Sequence, residues 1–463
     1  MATLPPDPFE PGGIVRFGER LRGGEITAEA ATAAYLARIE ALDPRLGAYQ
    51  HVAADSALAA AYALDSLLAT GTDLGPLMGV PVAVKDIFAV EGMPTMAGSK
   101  IDVADLIGSE GSFVRTLRRA GCVILGKVKT VEFALGAVGT SQPRGTPWNP
   151  WDSDTQRVPG GSSSGPAVAV AAGLAAFSIG SDTGGSVRIP AAFCGTFGLK
   201  TTVGLWLTDG VFPLSPQLDS IGPLTRSAAD AAIVFAALTG APVPLAEPLS
   251  GLRLGRPKSY FFDNLDDQVE ACTSAALSAL ENAGAEIVPI DVPEASEREG
   301  YFPVALPACL IAVLGRERFL AGRQEIDPVV AMRGERGLEV AADTYIRLEH
   351  RREELNRIAA DKMKDLDGWV SPTAALVAPP VAQFDDPDVG LKLALAITQD
   401  TQPCNLFGQC GTSTPIQSYG SGLPVGLQIV CASGLDAKAL SIALAVEEVV
   451  GMPLRPDLSG FVG

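Results

Sequence analysis

The chain has 463 residues, 47% hydrophobic and 19% charged, enough to bury a large core and too apolar for a disordered or collagen-like polymer. Its 35 basic residues face 53 acidic ones, a net charge of −18 with no long Lys/Arg run, so no direct nucleic-acid binding is expected. Two histidines, His51 and His350, are too few for multi-histidine metal centres, and neither a metal nor any other cofactor is expected.

Met1 to Gly13 lacks the basic and apolar regions of a secretory signal, which predicts a cytoplasmic protein. Thr27 reads as the cap of a helix running to Leu42, with Ala31, Tyr35 and Ile39 at helical spacing, and Val52 to Ala69 reads as a second helix. The apolar run VPVAV, 80–84, predicts a buried strand that delivers Lys85 and Asp86 at its end. A helix Ser112 to Ala120 and a strand Cys122 to Leu125 follow. Val158 to Ser181 carries no charge, but its Gly/Ser opening and Gly173 and Gly180 argue against a membrane span. It reads as loop, short buried helix from about Pro166, then strand.

Between about Leu252 and Leu366 the composition shifts to a strand, a loop and long charged helices, the expected variable, substrate-side part. GWVSPTAALVAPP and LPVGLQIV predict further strands, and Ala437 to Val450 a closing helix. The seven cysteines (122, 194, 272, 309, 404, 410 and 431) form no CxxC pair and read as reduced, mostly buried thiols. The expected fold is one α/β domain over residues 1–463, a large central mixed β-sheet covered by helices on both faces. Its core falls at about 75–235 and 366–450.

Two Gly/Ser clusters, PGGSSSGP from Pro159 and SDTGGSVRIPAAFCGTFGLK ending at Lys200, carry the chemistry. Glycines 160, 161, 184 and 185 permit unusual backbone angles and leave N–H groups bare, which suits an oxyanion site. Two formal motif matches lead elsewhere. Gly161 to Gly165 fits the G-x-S-x-G nucleophile elbow, but that fold needs a preceding strand and a later catalytic histidine, and only His350 follows. Gly121 to Lys127 fits G-x-x-x-x-G-K, but Val128 stands where a magnesium-binding Ser/Thr belongs. With histidine unavailable, a serine nucleophile needs another base, and neutral lysine is the known substitute. Lys85 is the candidate, because burial at a strand end disfavours its ammonium form. Strand alternation turns Asp86 to the opposite face, leaving Lys85 without a direct salt bridge.

Together GVPVAVKDIF, PGGSSSGP and SDTGGSVRIPAAFCGTFGLK resemble the amidase signature family in order and separation, and the likeness extends through GTPWNPW, SPQLDSIGPLTRSAADAA, SPTAALVAPP and GLPVGLQIV. It covers nearly the whole chain. The resemblance implies a Ser-cisSer-Lys triad: Ser186 as nucleophile, Ser162 as the bridging serine after a cis peptide, and Lys85 as base. It further implies an oxyanion hole of the N–H groups of Thr183, Gly184, Gly185 and Ser186, with Ser163, Asp182 and Arg188 in support. Ser164 and Pro166 depart from the family's usual first cluster. GKVKTVEFALG lacks the GKTNMDEFAMG form of tRNA-dependent amidotransferase subunits, so the chain looks closer to stand-alone aryl-amide, carbamate and biuret-type hydrolases.

The expected activity is hydrolysis of the C–N bond of a small hydrophobic or aromatic amide or carbamate. SYFFDN, GYFPVALPACLIAVLG and the 132–139 loop are candidates for pocket walls, although the first two read equally well as core. The alternative is a catalytic subunit of a larger complex, amidotransferase-like or a biuret-type hydrolase with a small partner. The resemblance also allows a homodimer, which no segment of the sequence demonstrates.

Overall fold

A computed structural model describes residues 4–10, 12–420 and 422–462. Eleven strands form one mixed sheet: β1 Tyr49–Val52, β2 Pro81–Lys85, β3 Val123–Val128, β4 Phe177–Asp182, β5 Phe197–Lys200, β6 Ser220–Thr225, β7 Arg253–Pro257, β8 Glu286–Ile290, β9 Gly368–Pro372, β10 Cys410–Pro415 and β11 Gly426–Cys431. Their order across the sheet is β1-β3-β2-β4-β6-β5-β10-β11-β9-β7-β8. The β3-β2-β4 and β9-β7-β8 groups are parallel and the other neighbours antiparallel.

Both faces of this sheet are buried, as alternation along its strands shows. In β11, Leu427, Ile429 and Cys431 join one hydrophobic cluster while Val430 joins another. In β9, Trp369 and Val370 divide the same way. The smaller cluster is closed by the helices Asp267–Asn282 and Asp436–Val450. The larger takes in Ala28–Leu46, Ser164–Ala171 and Arg298–Leu314.

The N-terminal reading needs one correction. The helix expected from Val52 begins at Ala54, and the residues before it form β1, with His51 opposite Lys127 in β3. Ala-rich periodicity starts only at Ala54; Tyr49 to Val52 instead satisfies the backbone of β3's outer edge. The strand expected from Cys122 to Leu125 runs from Val123 to Val128, so all but the first two residues of the G-x-x-x-x-G-K match are extended strand. Gly126 is required there, with φ +157 and a space in which a Cβ would lie 2.1 Å from the His51 carbonyl oxygen. Thr27 caps the helix Ala28–Leu46 by accepting the Ala30 N–H. β8 and β10 join the sheet without a local sequence pattern that predicts them.

Candidate active site

β2 is buried throughout and carries Lys85 to its C-terminal end with no exposed surface. The lysine Nζ donates to Ser162 Oγ at 2.8 Å and to Ser181 Oγ at 2.8 Å. Burial holds its pKa down at about 7, against the opposing pull of the Asp182 and Asp219 carboxylates. Asp86 turns to the other face as expected and pairs with the equally buried Lys127 at 3.1 Å. Among the described residues Lys85 therefore has no salt bridge of its own.

Ser162 precedes the helix Ser164–Ala171, and the Gly161–Ser162 peptide bond is cis. The 132–139 loop braces this turn: Gly161 N–H donates to Ala137 O at 2.7 Å, and Val131 N–H to Ser162 O at 3.1 Å. Pro166 falls in the first helical turn, where its missing N–H leaves no intrahelical bond unmade, so this departure costs the helix little. No strand precedes the serine cluster, and His350 lies exposed on the helix Ala342–Lys362, which removes the nucleophile-elbow reading.

Ser186 follows β4 on the second Gly/Ser loop and is 8% exposed. Its carbonyl accepts the Ser163 N–H at 3.2 Å, and Ser163 Oγ donates to Ser181 O at 3.2 Å, so the two clusters are stitched side by side. Asp182 organises the loop. Its Oδ1 accepts the Gly185 N–H at 2.8 Å and its Oδ2 the Val187 N–H at 3.1 Å. Arg188 grips the same carboxylate through Nη2 at 3.0 Å and Nε at 3.1 Å. Burial alone would raise the Asp182 carboxyl, but Arg188 outweighs it and holds the group well below the usual carboxylate range. Gly185 is obligatory, with φ +112 and a position where a Cβ would lie 2.2 Å from Thr401 Oγ1.

One expected oxyanion donor is thus already engaged. The Gly185 N–H points to Asp182, whereas, among the described residues, the N–H groups of Thr183, Gly184 and Ser186 meet no acceptor in the chain. Phe302 from the GYFPVAL segment packs against this loop, since a Cβ on Gly184 would lie 3.3 Å from Phe302 Cε1. Phe302 is buried and belongs to the core. Tyr260 of SYFFDN is half-buried away from this contact, its hydroxyl accepting from Arg298 Nε.

The family model described as Amidase matches residues 30–440. The chain belongs to the amidase signature family. It is 37% identical to the 2-amino-5-chloromuconic acid deaminase of Comamonas testosteroni over 95% of this chain and 96% of that protein. It is 34% identical to the glutamyl-tRNA(Gln) amidotransferase A subunit of Chloroflexus aggregans, again over 95% and 96%. The structure of the peptide amidase from Stenotrophomonas maltophilia superposes with a TM-score of 0.81 at 29% identity, covering 98% of this chain and all of that one. The fold is thus the single amidase-signature α/β domain, and the protein is an amidase acting on C–N bonds.

Several residues of this amidase's site are given no role by the sequence around them, although Ser181 opens the second Gly/Ser cluster and Gln428 lies in GLPVGLQIV. Ser181 shares Lys85 with Ser162. Asn405 Nδ2 donates to Asp182 Oδ1 at 2.8 Å, and Gln428 Oε1 accepts from Arg188 Nη1 at 2.6 Å. Both come from the far C-terminal part of the chain, where only the family-like strand GLPVGLQIV contains a hint. Among the described residues no group of three His, Cys, Asp or Glu side chains has a metal-binding arrangement. Dialysis of the amidase against EDTA is expected to leave its turnover unchanged; a loss restored by a divalent metal contradicts this. No helix of the described residues is long and apolar enough to cross a membrane, and all seven cysteines are buried and unpaired.

Proposed function

We propose that this amidase hydrolyses a small hydrophobic or aromatic amide or carbamate through an acyl-enzyme on Ser186. The observation that supports it most directly is the wholly buried Lys85 amine, 2.8 Å from Ser162 Oγ, which burial brings down to a pKa of about 7 so that about half of it is neutral at that pH. In the deprotonated form Lys85 keeps an N–H on Ser181 and turns its lone pair to the Ser162 hydroxyl. Ser162 passes its proton to Lys85 and takes the proton of Ser186, whose Oγ attacks the carbonyl carbon. The N–H groups of Thr183, Gly184 and Ser186 stabilise the oxyanion, and Gly185 joins them only by sharing its bond to Asp182. As the C–N bond breaks, the amine takes a proton from Ser162, which Lys85 replaces. Water, activated by the same relay, then releases the acid and frees Ser186.

The test is amine release by the purified chain from an anilide and a carbamate sharing one aryl amine, with Ser186→Ala as control. Release from either, abolished in the variant, supports the reading, and the faster of the two fixes the preference. Ammonia release from 2-amino-5-chloromuconic acid, the compound in one relative's name, forms a third arm. The likeness to amidotransferase A subunits favours a second reading, a chain that works within an assembly. Inactivity of the chain alone in all three arms, followed by ammonia release from glutamine once partner subunits are added, establishes that reading instead.

A further inference from the structure

We propose that Asp219 is a positioning residue of this amidase, its carboxylate acting on Lys85 across a recess that Ser181, Thr183 and Asp219 line together. The proposal rests on the reading of Lys85 as the base. The recess is a narrow cleft beside the second Gly/Ser loop, with room for about one water molecule, and its other walls are mostly apolar, among them Ile87, Phe212 and Leu214. Ser181 contributes to it the hydroxyl that holds Lys85 Nζ. Asp219 is fixed opposite: Oδ1 accepts from Thr183 Oγ1 at 2.5 Å, and Oδ2 accepts the N–H groups of Leu214 and Ser215, each at 2.9 Å.

The other two acids beside Lys85 among the described residues each have a cation of their own. Asp182 is clamped by Arg188, and Asp86 faces away and pairs with Lys127. Among the described residues Asp219 has no ion-pair partner within 4.0 Å. The lysine amine therefore bonds to the Ser162 and Ser181 hydroxyls and feels two carboxylates, Asp182, whose larger pull is shared with Arg188, and Asp219, which has no cation of its own. In an apolar setting an unmatched carboxylate favours the ammonium form of a neighbouring lysine. Burial lifts the Asp219 carboxyl, and Lys85 pulls it back, the same coupling seen from its other end. Asp219 thus keeps Lys85 from becoming neutral over too wide a pH range while anchoring Thr183, the first residue of the oxyanion loop.

The test is the pH profile of kcat/KM for the wild type, Asp219→Asn and Asp219→Glu, read by the midpoint of the acid limb rather than by plateau height. Removing the charge lowers the Lys85 pKa, so the Asn limb should move down by about one pH unit, while Glu stays near the wild type. One unit below the wild-type midpoint, the fraction of plateau activity should rise roughly fivefold in the Asn variant. A purely structural role would lower the plateau and leave the midpoint in place, and that outcome overturns the proposal alone. A wild-type profile flat from about pH 5 to 10 overturns the base assignment and this proposal with it. If Asp219→Asn does not fold, the wild type carries the test: the 13Cγ resonance of Asp219, identified by its loss in Asp219→Glu, must shift with the midpoint of the limb. A resonance unmoved through that range overturns the proposal.

Discussion

Lys85→Ala is expected to lower kcat/KM by about 10^2- to 10^4-fold, the usual worth of a positioned general base, and to remove the acid limb of the pH profile. In the wild type the base is competent only when neutral. With its pKa at about 7, activity should climb through that pH and level off above it. The direction follows from burial: the folded state disfavours the ammonium, so neutral amine is abundant far below the value of about 10.4 that holds in an unfolded chain. The same linkage has a cost for stability. Between those two values the unfolded chain binds more protons, so stability rises with pH across that window. Below about pH 7 the buried ammonium costs the fold about 5 kcal/mol.

Lys85→Met separates the two consequences. It removes the base and the buried charge together while filling similar volume, so activity should fall as in Lys85→Ala. The melting temperature at pH 6 should equal or exceed that of the wild type, with the unpaired Ser162 and Ser181 hydroxyls taking back part of the gain. A Met variant that retains a tenth of wild-type turnover would falsify the base assignment.

What is legible in the sequence is local. The strand VPVAV, the serine clusters and the helices Ala28–Leu46, Ser112–Arg119 and Asp436–Val450 announce themselves through short-range patterns of burial and capping. β10 does not, because CGTSTP reads as turn material, yet it is wholly buried between β5 and β11. Its Ser413 hydroxyl is satisfied across the sheet by Thr373 at 2.8 Å, a partner no window of sequence contains. Ser181 reads as the strand end that opens the second Gly/Ser cluster and not as a partner of Lys85, since that contact depends on β4 lying next to β2. Asn405 and Gln428 lie more than two hundred residues from Asp182 and Arg188, and although Gln428 falls in the family-like GLPVGLQIV, neither neighbourhood says which loop it supports. Asp219 lies inside the family-like segment SPQLDSIGPLTRSAADAA, but its role emerges only from the recess it shares with Ser181.

Arg188→Met is expected to destabilise the protein by about 3 to 5 kcal/mol at pH 7.5, because it leaves the Asp182 carboxylate buried without its cation. Arg188 and Asp182 are both wholly buried, and the arginine also donates to Thr401 O, Gln428 and Asn405, so no water is at hand to replace it. The pH dependence gives the sign. In the wild type, Asp182 has a depressed folded pKa, so its stabilisation is complete above the unfolded value of about 3.9 and is lost only as pH falls toward the folded one. In Arg188→Met the largest influence opposing burial is gone, leaving Lys200, Asn405 and the Gly185 and Val187 N–H groups, and the carboxyl pKa rises. The stability gap between variant and wild type should therefore narrow from pH 7.5 to pH 4.5, read from urea midpoints at each pH. Adding Asp182→Asn to Arg188→Met should recover part of the loss at pH 7.5, since the remaining amide carries no charge. Turnover should not recover with it. The carboxylate that orients the Gly185 and Val187 N–H groups on either side of Ser186 is still missing, and the loop that presents the nucleophile has lost the anchor its geometry depends on. A double variant that regains both stability and activity would mean that the Asp182–Arg188 pair serves the fold alone.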